Sequence, residues 1–303
     1  MKTFFKPKFC LAATLLFFSI FTPAIMANAL QPAKEDSSNN EAHLIIDSLR
    51  YDTMPKHFRT TSSLTALDNK KLNLKGLDRL NISGSQQFSA FNLPLVLKAI
   101  NTAMPVIDVD LRQESHGFIN GIPVSWKNEK NNANMGLSLE QIIAKENELL
   151  KSIKLNQPIS FYNHPEIKVV PTQVESENQL VSSKGLSYLR IPVTDGKLPT
   201  DGMVDYFIDF VKAQPPNTWI HFHCKEGVGR TTTFMIMYDI VKNAKTVPYD
   251  EIIKRQLALA GFDEKEIQSF YSKSRAQFLS SFYKYSKENG DKFQVKWSDY
   301  IKK

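Results

Sequence analysis

Residues 105–112 (PVIDVDLR) alternate Val106, Asp108 and Asp110 against Ile107, Val109 and Leu111, the period of a strand. A Gly/Asn-rich stretch, 117–136, follows and reads as a loop. Ser138 with Gln141 matches a capping box and opens a helix carrying Ile142, Ile143, Leu149, Leu150 and Ile153. Near 150–185 the sequence is polar and punctuated by proline, with short apolar runs, and reads as a small β-rich insertion. Residues 186–193 (LSYLRIPV) form the next expected strand, followed by a turn and an amphipathic helix over about 202–213. Then come a short strand at 218–223 (TWIHFH), a glycine-bearing loop from Cys224 to Arg230 and an apolar helix at 231–243. Asp250 is placed to cap a helix that stops near Gly261, and a last helix covers 263–288. Strands alternating with helices predict an α/β fold with a mainly parallel sheet flanked by helices.

The N-terminal end has a different pattern. Lys2, Lys6 and Lys8 precede an apolar run of 13 residues, Phe9 to Phe21, and Ala27-Asn28-Ala29 forms an A-x-A site. This layout is that of a secretory signal peptide over 1–29, and the run is too short to span a bilayer. Residues 30–45 read as a flexible lead-in, leaving 46–303 as the folded domain. The expected mature protein is exported, periplasmic or secreted, without stable membrane insertion. Loss of 1–29 removes three lysines and no acid, so the net charge falls from +7 to +4. No dense Lys/Arg block marks a nucleic-acid surface. A mild positive balance suits a small anionic substrate. Cys10 and Cys224 are the two cysteines, and Cys10 leaves with the signal peptide. A lone thiol in an exported chain forms no internal disulfide and is either buried and inert or used.

The surroundings of Cys224 favour use. His221-Phe222-His223-Cys224-Lys225-Glu226-Gly227-Val228-Gly229-Arg230-Thr231 runs strand, loop, helix. A helix N-terminus offers unpaired N–H groups and a positive dipole end. Gly227 and Gly229 allow a tight turn in which the amides of Lys225, Glu226, Gly227, Val228 and Gly229 line an anion nest. Arg230 adds a fork for two phosphate oxygens. The field that attracts phosphate also favours a thiolate, which makes Cys224 a nucleophile. Thr231 is placed to donate a hydrogen bond to the sulfur, and His223 to hold the loop. Asp195, 29 residues before Cys224, ends a strand before Gly196 and is the candidate general acid and base. An Asp-Gly turn without catalysis has the same local sequence. His221, His223 and Cys224 are also three possible metal ligands, but a guanidinium at Arg230 repels a cation, so no metal and no cofactor are expected.

His-Cys-x5-Arg-Thr resembles the signature loop of the protein tyrosine phosphatase superfamily. Further segments resemble one branch of it, the protein tyrosine phosphatase-like phytases. They are Pro55 to Arg59, Ser83 to Ser89, Asp110-Leu111-Arg112-Gln113-Glu114-Ser115-His116-Gly117, Thr194-Asp195, Thr231-Thr232-Thr233, Arg255-Gln256, and the end around Arg275, Phe278, Phe282 and Tyr283. The resemblance implies a phosphatase core with a small β-rich partial-barrel companion. It also implies metal-independent, stepwise removal of phosphates from myo-inositol hexakisphosphate through a phosphocysteine. By position it places Asp110 and His116 at the pocket edge and Arg59 on a substrate phosphate. From the residues alone, Asp110 and Arg112 could equally form an internal ion pair.

The loop departs from the family at Lys225-Glu226. Lys225 resembles a position of phosphoinositide phosphatases and puts a cation at the rim, which favours polyanions, while Glu226 partly offsets it. Three readings therefore stand at this level: an inositol polyphosphate phosphatase, a protein tyrosine or phosphoinositide phosphatase, and an inactive anion-binding module.

Overall fold

The computed structural model describes residues 41–67 and 71–302; the expected signal peptide and most of the lead-in lie outside the described residues. In chain order the elements are β1 (His43–Ile46), β2 (Arg59–Thr60), β3 (Ile82–Gln86), α1 (Leu93–Ile100), β4 (Val106–Arg112), β5 (His116–Ile119) and β6 (Ile122–Lys127). Next are α2 (Leu139–Ser152), β7 (Ile159–Phe161), β8 (His164–Val169), β9 (Val174–Glu175), α3 (Glu177–Ser183), β10 (Ser187–Val193) and α4 (Asp201–Ala213). β11 (Trp219–Cys224), α5 (Gly229–Asn243), α6 (Tyr249–Ala260), α7 (Glu264–Phe270), α8 (Lys273–Asn289) and α9 (Trp297–Tyr300) complete the chain. No helix among the described residues is long and apolar enough to cross a membrane.

The main sheet has the order β10-β4-β11-β3-β2. β11 lies parallel between β4 and β3, and β10 is parallel to β4; short β2 alone runs antiparallel, against β3. Strand alternation sends Ile220, Phe222 and Cys224 to one face of β11 and Trp219, His221 and His223 to the other. The first face packs on Phe207 of α4 and on Phe234 and Met237 of α5 in the main core. Each fully buried aromatic or aliphatic side chain there contributes about 1.5–3 kcal/mol. Gly84 permits close approach of α5: a Cβ there would lie 2.6 Å from Met235 Sδ and 2.8 Å from Thr231 Cγ2. The second face carries an apolar cluster of Phe88, Leu93, Val96, Phe118, Leu180 and Trp219, and beside it a buried set of charged side chains.

A four-stranded antiparallel sheet, β1-β6-β5-β9, and the hairpin β7-β8 form the companion. It is assembled from distant segments rather than from 150–185 alone. β1 takes in residues 43–45, expected within a flexible lead-in, and pairs with β6 from His43↔Lys127 to Ile46↔Val124. Much of 117–136, expected as a loop, is the β5-β6 hairpin; Asn120 and Gly121 turn it at φ 50° and 77°. Phe118 and Val124 are fully enclosed there, so burial outweighs the polar composition. Ser138 and Gln141 form the expected capping box. The helix at 249–260 is preceded by Pro248, with Asp250 in its first turn rather than at its cap, and it ends at Gly261 as expected. The expected last helix is two: Asp263 caps α7, the helix is interrupted at Tyr271 and Ser272, and α8 begins at Lys273.

Candidate active site

Cys224 ends the central parallel strand, and α5 begins five residues later at Gly229. The loop between them is forced tight by Gly227 at φ +75°, where a Cβ would fall 2.7 Å from Ser85 O and still nearer Gln86 N. Gly229 has no such constraint, its nearest neighbour for a Cβ being Arg275 Nη2 at 3.7 Å. Val228 supplies no side-chain cap to α5, so the first amides of that helix are not taken up by a cap. Cys224 is 3% exposed, and its sulfur accepts from Gly227 N at 3.3 Å and Thr231 Oγ1 at 3.1 Å. Two donors aimed at sulfur, at a helix N-terminus, stabilise negative charge there.

Arg230 is held as a fork by Glu114, which accepts from Nη1 at 2.7 Å and from Nη2 at 2.9 Å. Nη1 also donates to Val193 O at 3.0 Å, and Asp195 Oδ1 lies 3.1 Å from Nη2. The enclosed Nε has no protein partner. Burial alone would raise the Glu114 pKa, but Arg230 and Arg112 hold its carboxyl well below the usual range. Asp195 stands on the turn after β10, its side chain 40% exposed, and its Oδ2 accepts from Asn131 Nδ2 at 2.9 Å. Cys224, Thr231, Arg230 and Asp195 are thus brought together as the sequence suggests.

Other expected site residues lie elsewhere. Arg59 does not reach the mouth of the bowl. It is buried behind the loop, donating to Gly227 O at 2.6 Å, Thr232 Oγ1 at 2.7 Å and His57 O at 2.8 Å. Its pKa is lowered to about 10 by burial, opposed by Cys224, which leaves it charged at neutral pH. Lys225 is not a free rim cation: Nζ lies 3.1 Å from Asp47 Oδ1. Asp47 also accepts from Arg112 Nη1 and Ser125 Oγ, so the companion sheet is tied to the loop by the chain Lys225, Asp47, Arg112, Glu114, Arg230. Glu226 is exposed at the loop.

Asp110 and His116, expected at the pocket edge, are enclosed between sheet and companion. Asp110 accepts from Arg112 N at 2.8 Å and Tyr188 Oη at 2.7 Å, with Arg190 Nε at 3.1 Å and His116 Nε2 at 3.3 Å. It is therefore an internal ion-pair residue, though with Arg190 rather than with the Arg112 side chain. Glu177 of α3 bridges His116 Nε2 at 3.0 Å and His223 Nε2 at 2.6 Å. The His223 ring, expected to hold the loop by hydrogen bonds, is instead paired with Glu177 and, at 3.5 Å, with Asp108, on the sheet face opposite Cys224. Burial disfavours the charged imidazoles, but the carboxylates win: Glu177 and Asp108 raise the pKa of His223 well above its ordinary value, and Asp110 raises His116 to about 9.

Two buried trios, Asp108, Glu177 and His223, and Asp110, His116 and Glu177, have ligand atoms within 4.8 Å of one another. In each the imidazole is ion-paired with the carboxylates around it. His221 is separate, bonded to Ser83 and Ser85, and burial lowers its pKa to about 3. It shares the face of His223, opposite Cys224, so the three residues do not converge on one ion. A depression of about 350 Å³ lined by Lys254, Leu257, Phe262, Ile267 and Tyr271 has the Arg59 guanidinium 6.0 Å from the centre of its Phe262 ring and holds none of the reactive candidates.

Glu114, Glu177, Arg190, Asp47 and Asn131 were not picked out from sequence. The alternation of Asp108, Asp110, Arg112 and Glu114 could have revealed one charged, enclosed strand face.

The parallel sheet, strand–loop–helix cradle and guanidinium-flanked thiol have the arrangement that the signature loop led the sequence to predict. A family model for protein tyrosine phosphatase-like phytases, described by inositol hexakisphosphate, matches residues 109–242. A solved phytase of this type from Bdellovibrio bacteriovorus is 34% identical, with TM-score 0.72, over 90% of this chain and 97% of that one. A myo-inositol phosphatase of this type from Mitsuokella multacida, solved with myo-inositol-(1,3,4,5)-tetrakisphosphate, is 33% identical with TM-score 0.77 over 90% of this chain. Effector protein hopD2 of Pseudomonas syringae pv. tomato is 26% identical over 286 residues, 87% of this chain. The chain spans 49% of the Mitsuokella protein and 60% of the effector. The chain belongs to the protein tyrosine phosphatase-like phytase family, and its fold is that family's mixed, largely parallel sheet with a small antiparallel companion.

Proposed function

We propose that this protein is a metal-independent cysteine phosphatase that removes phosphates stepwise from myo-inositol polyphosphates. The observation that carries the reading is the convergence of Cys224, Arg230 and Asp195, from the ends of three elements, on one anion cradle. In the first step Cys224 Sγ attacks phosphorus in line; the S–P bond forms as the ester P–O bond breaks, and Asp195 gives its proton to the departing oxygen. Arg230 and the loop amides hold the equatorial oxygens. In the second step Asp195 takes a proton from water, whose oxygen attacks phosphorus and releases inorganic phosphate and the thiolate. Thr231 stabilises the departing sulfur through its hydrogen bond.

The substrate class is supported by the family's description and by the inositol tetrakisphosphate held by the Mitsuokella relative. The test is phosphate release from inositol hexakisphosphate in excess EDTA, beside a phosphotyrosine peptide and a phosphoinositide. The expected result is undiminished release with EDTA and highest kcat/KM on the inositol phosphate. A strong preference for the peptide would replace the substrate class, and activity lost to EDTA and restored by a metal would replace the mechanism.

A further inference from the structure

The loop after β6 presents an asparagine to the reacting groups. Asn131 takes a left-handed conformation at φ +53° and is 3% exposed. Its N–H donates to Asn128 O at 3.0 Å, while Asn128 and Asn132 exchange two hydrogen bonds at 2.8 Å across the turn. Asn134 anchors the same turn by donating to Gln113 O at 3.0 Å and Ser115 Oγ at 2.9 Å. The turn is therefore fixed to the stretch whose Glu114 grips Arg230. Asparagine is suited to this point because it tolerates positive φ and carries an amide donor.

That donor goes to Asp195 Oδ2 at 2.9 Å, and the amide's own enclosed Oδ1 has no protein partner. The other carboxylate oxygen, Asp195 Oδ1, lies 3.1 Å from Arg230 Nη2 and accepts from Gly196 N at 3.1 Å. A bound phosphoryl group will take the unpartnered Arg230 Nε and compete for Nη2. Oδ1 then loses the guanidinium and keeps Gly196 N, while Oδ2 keeps Asn131 Nδ2. With Arg230 drawn to the phosphoryl group, the hydrogen bond from Asn131 is the side-chain contact that still fixes the turn of the Asp195 carboxylate.

We infer that Asn131 is a positioning residue for the general acid: its Nδ2–H holds Asp195 Oδ2 and so keeps Oδ1 turned toward Arg230 and the cradle. The inference rests on the phosphatase reading above.

The variant Asn131→Gly removes the side chain and keeps the left-handed backbone accessible. The readout is kcat/KM, which covers transfer to Cys224 only. It is measured on inositol hexakisphosphate, an alkyl phosphate that needs the acid, and on p-nitrophenyl phosphate, whose leaving group scarcely does. Loss of a general acid costs about 10²–10⁴-fold, and its misplacement is expected to cost about 10-fold or more on the alkyl phosphate and less than about 3-fold on the aryl one. In an Asp195→Asn background the same substitution is expected to change either rate by less than about 2-fold. Equal losses on both substrates, or an undiminished loss in the Asp195→Asn background, would assign Asn131 a merely structural role and overturn the inference. So would wild-type rates in Asn131→Gly. If the parent protein releases phosphate from neither substrate, it is the phosphatase reading that fails.

Discussion

Arg59 and Arg230 serve the same loop from opposite sides. Arg230 keeps Nε and part of Nη2 for the bowl, because Glu114 and Val193 O occupy the rest of its fork. Arg59 donates into the back of the loop at Gly227 O and Thr232 Oγ1. Removing it leaves those acceptors enclosed and unpaired. Arg59→Met is expected to lower unfolding free energy by about 1.5–3 kcal/mol, the worth of a charged hydrogen bond, as read by urea denaturation. A variant of full stability that had lost affinity for inorganic phosphate would return Arg59 to the substrate-gripping role that the family resemblance implies.

The strand–loop–helix unit depends on one glycine more than the other. At Gly227 both a φ of +75° and the crowding at Ser85 O exclude a side chain. Gly227→Ala is expected to cost about 1–3 kcal/mol and to depress kcat/KM by at least about 10-fold. Gly229→Ala, with open space around it, is expected to stay within about 0.5 kcal/mol of the parent. Thermal melts beside turnover check the pair, and equal tolerance at both positions would mean that the loop follows another path. This unit was readable in the sequence because its signals are local: the alternation of TWIHFH, the spacing of Cys224 and Arg230, and the apolar run of α5. The companion was not readable in the same way. β1, β5, β6 and β9 draw their stability from partners distant in the chain, such as Lys127 for His43, and the short apolar runs HGFI and IPVSWK look like loop beside Asn120, Gly121 and the Asn-rich 128–134 until Phe118 and Val124 are seen to be enclosed. Glu114 and Glu177 were illegible for a related reason. A carboxylate's partner is set by tertiary contact, and α3 brings Glu177 to His223 across 46 residues of chain.

At the scale of the molecule, a buried charge network joins the phosphatase core to its companion. Asp47 and His116 come from the companion side, Glu177 from α3, and Arg112, Arg190 and His223 from the main sheet. Such a network stabilises only while every member keeps its charge. Burial lowers the His116 pKa, but the Asp110 carboxylate outweighs it and raises the value from 6.5 to about 9. A folded-state pKa above the unfolded one gives stability that is fully present below pH 6.5 and lost as pH rises through about 9. His223, also raised, acts in the same direction. The melting temperature is expected to fall between about pH 6.5 and 9.5, with a shallower fall in His116→Gln. A flat profile in the parent would show that the imidazoles do not carry the charge assigned to them.

Under the proposed function all of these elements serve the transfer of a phosphoryl group to one sulfur. Its most direct test is rapid quenching of Asp195→Asn with radiolabelled p-nitrophenyl phosphate, whose leaving group needs little protonation, followed by peptide mapping. Because the water-activating carboxylate is gone, label is expected to accumulate on the peptide containing Cys224 at close to one phosphoryl group per chain. Continued phosphate release with no label on Cys224 would contradict the account.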